Sequence, residues 1–160
     1  MVSIKRIQID KIEELVRIAF KNDTDLIEKY HSIDGTFEEC VDDTIIRIYA
    51  SYNEKHPKYY KILNNKEAIG FFVTFVHKDI PIPVLYSFGI NIKYRKAEIL
   101  NEWWKLILKE LDSKFWCAMN KKNERAIKFL RNRTMKVVKE TENEVVFINK
   151  PLPKYNFSDN

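Results

Sequence analysis

A chain of 160 residues holds enough material for one substantial core and too little for two ordinary domains. Apolar residues make up 45% and aromatics 13%, against only 3 Gly and 5 Pro, which excludes a low-complexity or linker-dominated protein. The net charge of +5 suggests an anionic partner (nucleic acid, a phosphorylated cofactor, an acidic protein surface), although plain solubility is the more ordinary reading. Cys40 and Cys117 belong to no Cys-x-x-Cys pair and no secretory signal precedes them, so both are expected to be reduced and buried. His31, His56 and His77 stand apart from each other and from the cysteines, so no metal site is expected. No apolar run is long enough to span a bilayer, which points to a soluble protein, intracellular or particle-bound, with no membrane partner.

In chain order, Val2 to Ile9 alternates apolar and polar residues with one slip and predicts a first strand. Asp10 to Glu13 has the form of a capping box, opening a helix with Ile12, Leu15, Val16 and Ala19 on one face and an end near Asn22-Asp23. Residues 23–35 are ambiguous between a helical turn and a loop. Thr36 to Glu39 is a second capping box, leading into a helix with Cys40, Val41, Ile45, Ile48 and Tyr49 on one face, broken between Asn53 and Pro57. Tyr59 to Leu63 and Ala68 to His77 predict a hairpin turning at Asn64-Asn65-Lys66. After the prolines of 78–83, Val84 to Ile92 predicts a fourth strand with Val84, Tyr86, Phe88, Ile90 and Ile92 on one face. An amphipathic helix follows through Leu111, then a short apolar strand from Phe115 to Met119 and a helix from Asn123 to Arg131. Lys136–Lys139 and Glu144–Asn149 predict a closing hairpin, and residues 151–160 an extended tail beyond a single domain spanning 1–150. The junction between the fourth strand and third helix is where amides at a helix N-terminus can hold a phosphate.

The order β-α-α-β-β-β-α-β-α-β-β resembles the GNAT superfamily of N-acetyltransferases over nearly the whole chain. Tyr94-Arg95 resembles the start of that family's phosphate-binding loop. Asn123-Glu-Arg-Ala126-Ile127-Lys-Phe129 resembles its Asn-x-x-Ala-Ile-x-Phe motif in the last helix. The resemblance implies an α/β (α+β) fold with a mixed, mostly antiparallel sheet of six to seven strands and helices on both faces. It also implies acetyl-CoA as cofactor, with Ile90, Ile92, Arg95, Lys96, Ala97, Glu98, Ile99, Leu100 and Asn123 as the matching positions.

The working parts depart from that pattern. Glu98 and Leu100 occupy the loop's two small-residue positions, placing bulk and a negative charge where phosphate oxygens would approach. Acyl transfer to an amine needs a proton acceptor, yet Val84 to Ile92 contains no Asp or Glu, and Leu130 stands where the family often has tyrosine. Tyr86, Ser87, Cys117 and Asp79 are the remaining catalytic candidates. The expectation is therefore a GNAT-like scaffold that has lost cofactor and catalysis and serves as a structural or interaction subunit, with an acetyltransferase using an unusual loop as the alternative. A GNAT-like chain with an eroded loop also resembles small virion proteins of tailed bacteriophages, which implies a location in the host cytoplasm or the particle and other protein subunits, in an oligomer or assembly, as partners.

Three further expectations concern surfaces and contacts. Lys121, Lys122, Arg125, Lys128, Arg131 and Arg133, with Lys136 and Lys139 beyond them, form a local basic excess that either contacts nucleic-acid phosphates or is a solvated face. Trp103 and Trp104 point about 100° apart on a helix, so at most one is expected fully in the core. Tyr155 and Phe157 of the tail are candidates for docking on a neighbouring subunit.

Overall fold

Period-two alternation governs the middle of the chain and produces its main organising surface, a seven-stranded sheet. The computed structural model describes residues 1–23, 35–133 and 135–149, so the tail lies outside the described residues, as does most of the ambiguous stretch after Asp23. The strands are β1 (Val2–Ile7), β2 (Lys55–Asn64), β3 (Glu67–Val76), β4 (Pro83–Ile90), β5 (Trp116–Asn120), β6 (Lys136–Glu140) and β7 (Glu144–Ile148). Their spatial order is β1-β2-β3-β4-β5-β7-β6, antiparallel throughout except for β4 beside β5. The β2–β3 turn places both Asn65 (φ 50) and Lys66 (φ 73) in the left-handed region, the backbone of a type I′ turn, whose twist suits a two-residue hairpin.

Alternation sends neighbouring residues to opposite faces, and each face has its own core. Tyr59, Phe71 and Val73 pack with α1 (Ile12–Phe20) and α2 (Phe37–Ala50) through Leu15, Val16, Ala19, Val41, Ile45 and Ile48. Tyr60, Ile62 and Phe72 pack on the other side with α3 (Ala97–Glu110) through Trp103, Trp104 and Ile107, and α4 (Glu124–Arg131) adds Leu130. The fold is mixed α+β, with helices on both faces of a mostly antiparallel sheet.

Several local expectations change. The Asp10 capping box does not form: residues Ile9–Lys11 make a 3-10 turn, and α1 starts at Ile12 without a side-chain cap. The Thr36 N-cap does form, with Thr36 Oγ1 accepting from Glu39 N at 3.2 Å, and the Glu39 carboxylate meets the Thr36 hydroxyl, which donates to its Oε1 at 3.3 Å. Pro57 lies inside β2 rather than ahead of it, at an irregularity in the pairing where His56 takes φ 51. Tyr49 is 40% exposed, because helical rotation carries it off the face that holds Ile45 and Ile48.

Trp103 and Trp104 are both buried, at 1% and 5% exposure. Trp103 stands over the sheet beside Phe72 and Phe88, whereas Trp104 packs against Phe115 and Phe129. Helix α3 is thus covered on two sides, and a helix so placed buries adjacent residues. The predicted single face of the fourth strand is interrupted as well. Pairing steps from Val73↔Ser87 to Thr74↔Leu85, leaving Tyr86 as an extra residue in β4. Ile92 falls beyond the strand, in a 3-10 turn spanning Ile92–Tyr94.

Candidate functional site

The two parallel strands meet at a single registered pair, Val84↔Trp116, and separate from there on. A cavity of about 960 Å³ occupies the opening. Its walls come from both faces of the sheet: Phe20, Thr44, Arg47 and Ile48 from α1 and α2, and Leu100, Trp103, Ala126 and Phe129 from α3 and α4. The cavity therefore passes through the sheet. Along its floor the extra residue of β4 bends the strand beside Ser87, and a bulge of this kind re-aims neighbouring backbone groups and commonly adjoins functional sites.

At one end of the opening stands the N-terminus of α3. No acceptor is found among the described residues for the N–H groups of Ala97, Glu98 or Ile99, whereas Lys96 N donates to Tyr94 O and Leu100 N to Lys96 O. These three are the first-turn donors that a helix leaves unsatisfied, and the helix dipole adds positive character there. Ala97 and Leu100 border the cavity, while Glu98 is exposed and does not. Ile99 packs partly buried against the core. Lys96, at the N-cap, is exposed and extended. No residue between Ile90 and Glu110 has a positive φ, so the turn needs no glycine for backbone reasons.

Arg95 borders the cavity yet is already engaged. Its Nε donates to Ile90 O at 2.7 Å and its Nη2 to Asp23 Oδ2 at 2.6 Å, and the Asp23 side chain is fully buried. Nearby, Asn91 Nδ2 donates to Ile18 O at 2.8 Å, and Tyr94 Oη donates to Glu67 Oε2 at 2.6 Å. The turn ahead of α3 is thus tied to α1 on one side and to the start of β3 on the other. Asp23 and Asn91 carried no sequence signal, since one lies in the ambiguous stretch and the other was hidden in an apolar alternation.

Most of the remaining candidates gather at the cavity, and Cys117 and Asp79 do not. Ile90, Ile92 and Asn123 border the cavity, and Asn123 Oδ1 also accepts from Ala126 N at 3.2 Å, capping α4. Tyr86 and Ser87 border it too; Tyr86 is 37% exposed and its ring lies 4.9 Å from that of Phe75. Partial burial raises the Tyr86 phenol above its ordinary pKa, and Arg47 opposes the shift. Cys117 does not border the cavity: it is fully buried in the core, and desolvation pushes its thiol far up, away from nucleophilic character. Asp79 is outside the cavity, where its N–H donates to His77 Nδ1 at 3.2 Å. His77 and Arg47 line the α2 side and were missed by motif reasoning because neither belongs to a motif. The indole N–H of Trp103, also bordering the cavity, is buried with no partner among the described residues.

The basic residues divide. Arg125, Lys128 and Arg133 border the cavity, and Lys121 pairs with Glu140 at 3.2 Å. Arg133 is folded back, its guanidinium 3.7 Å from the Phe129 ring centroid and its Nη2 on Asn101 Oδ1 at 2.7 Å. Among the described residues the lining carries Arg47, Arg95, Arg125, Lys128 and Arg133 against the single carboxylate of Glu144. No group of three or more His, Cys, Asp or Glu able to hold a metal occurs among the described residues, and no described helix is long and apolar enough to cross a membrane.

No family model and no curated protein matches the chain in sequence. Its shape is similar to solved acetyltransferases. One from Thermus thermophilus aligns at TM-score 0.72 and 12% identity, covering 95% of this chain and 97% of that one. The PaiA N-acetyltransferase of Thermoplasma acidophilum, solved in complex with coenzyme A, aligns at 0.65 and 16%, covering 94% and 99%. The ribosomal-protein-S5-alanine acetyltransferase of Vibrio fischeri aligns at 0.55 and 14%, covering 94% and 96%. With its strand order, its single parallel junction and the opening beside it, the chain has a GNAT-like fold.

Proposed function

We propose that this protein binds a coenzyme A thioester and transfers its acyl group to an amine. The observation that carries the reading is the cavity through the sheet. A two-substrate transfer needs donor and acceptor to meet from opposite sides, and this opening is walled by α3 and α4 on one face and by α1 and α2 on the other. Arg125 and Lys128 of α4, which border the cavity, favour a polyanionic donor, the unsatisfied amides of α3 suit its phosphates, and a similar fold was solved with coenzyme A. In the reaction the amine nitrogen forms a bond to the thioester carbonyl carbon, the C–S bond breaks, the sulfur takes a proton, and the nitrogen loses one to solvent. In this reading the oxyanion is stabilised by β4 backbone N–H groups beside the Tyr86 bulge, and the Tyr86 and Ser87 hydroxyls, which border the cavity, are the nearby proton carriers.

Calorimetry with coenzyme A, followed by labelled acetyl-CoA and a panel of amines and peptides, tests this. Micromolar binding and acceptor-dependent transfer are expected; no heat of binding at millimolar coenzyme A overturns it. A second reading, a scaffold without cofactor that works as a subunit of an assembly such as a phage particle, is favoured by specific features. Leu100 borders the α3 end, Arg95 is held by Asp23, β4 has no carboxylate, and Leu130 sits in the core. That reading predicts oligomers without coenzyme A affinity, so the same titration separates the two.

A further inference from the structure

We infer that Asp23 and Asn91 are positioning residues for the donor site: they fasten the turn ahead of α3 to the end of α1, so that the amides of Ala97, Glu98 and Ile99 face a phosphate group. The inference rests on coenzyme A being the ligand. Motif reasoning assigns Arg95 to the phosphate, but its guanidinium is spent on Asp23 and Ile90 O. What it holds instead is geometry. Arg95 lies two residues before the first residue of α3, with its backbone N–H on Ile92 O and its side chain anchored at two more points.

A second tie, independent of the first, runs from the same turn to α1 itself, Asn91 Nδ2 to Ile18 O at 2.8 Å. Its Oδ1 accepts from Lys93 N at 3.0 Å, and its own N–H donates to Ile69 O at 2.8 Å. The Asp23 carboxylate is fully buried, and its Oδ1 has no partner among the described residues. A carboxylate kept out of water is an expensive feature, and among the described residues the Arg95 contact is what offsets its cost. Neither residue borders the cavity, so any influence on the ligand passes through the turn.

The test compares two ligands that differ in phosphate. Acetyl-CoA reaches the α3 amides with its diphosphate; S-acetylpantetheine shares the thioester arm and carries no phosphate. In Asp23→Asn the acetyl-CoA dissociation constant rises at least tenfold while that of S-acetylpantetheine stays within twofold, and Asn91→Ala gives the same pattern at a smaller amplitude. Where Asp23→Asn does not fold by circular dichroism, Asn91→Ala, which removes two neutral hydrogen bonds, decides. Equal weakening of both ligands, or no weakening of either, overturns the inference and leaves the proposed function standing. Wild-type protein that binds neither ligand overturns both.

Discussion

Gly70 offers the sharpest test of the packing that frames the site. It lies in β3 opposite Ile90, at the tight end of the β3–β4 ladder. A Cβ built there falls inside the van der Waals envelope of the Gly89 carbonyl oxygen, with Ile90 Cα at 3.0 Å and Gly89 C at 3.1 Å. All three atoms are backbone, so no rotamer change relieves the overlap. β3 is flanked by β2 and β4 and cannot slide outward without breaking one ladder. Gly70→Ala is therefore expected to cost about 3 kcal/mol, the upper part of the usual range for overpacking, which for a chain of this length lowers the melting midpoint by about 6–12 °C. Urea unfolding followed by tryptophan fluorescence reads this directly, since Trp103 and Trp104 are buried. Gly35→Ala is the control: its Cβ would meet Glu39 Oε2 at 2.8 Å, the movable end of a side chain, and the loss should be far smaller. A loss under about 1 kcal/mol for Gly70→Ala would refute the claim that glycine is required by strand approach.

Two further expectations concern stability. Thr36→Ala removes a formed N-cap and should cost about 1 kcal/mol, whereas Asp10→Ala, whose predicted cap is absent, should change stability by less than about 0.5 kcal/mol; thermal melts of the two variants distinguish them. Alkaline pH should unfold the protein through Cys117 and Tyr60. Burial raises both above their ordinary values, and the hydrogen bond from Tyr60 Oη to Glu110 Oε1 at 2.8 Å reinforces the second. Below the unfolded-state pKa both groups are protonated in either state and stability is complete. Above it the unfolded chain binds fewer protons than the folded one, so stability falls by about 1.4 kcal/mol per pH unit per group from roughly pH 9 for the thiol and 10 for the phenol. Urea midpoints measured in steps from pH 8 to 11 should decline, and more gently in Cys117→Ala; a flat profile would show the thiol free to ionise.

Strands and helices were readable because their signals are local. The alternation of Tyr59-Tyr60 and Phe71-Phe72 assigns one ring to each core, and the structure divides them that way. The Thr36 cap was legible from four residues, and Asn123 was recognisable from its motif before its capping bond was seen. What escaped depends on partners distant in sequence. The Asp23–Arg95 pair spans 72 positions, and nothing near Asp23 announces it. The Tyr86 bulge exists because β4 must stay in register with β3 on one side while leaving β5 on the other, a tertiary requirement that leaves no mark on composition. Asp10 illustrates the reverse case: its capping pattern was present, but the 3-10 turn at Ile9–Lys11 set the helix start instead.

The opening between β4 and β5 also changes how the molecule stays whole. With one registered pair joining them, strands β1 to β4 and strands β5, β7 and β6 are two panels sharing almost no backbone hydrogen bonds. Cohesion passes overhead, from Phe88 on β4 to Trp103 on α3 at 5.4 Å and on to Phe129 on α4 at 6.0 Å. Three rings act as a lintel above a doorway. Because side-chain packing carries the load, the strands beneath can stand apart without costing the sheet its continuity, and the doorway can remain open to whatever passes through it.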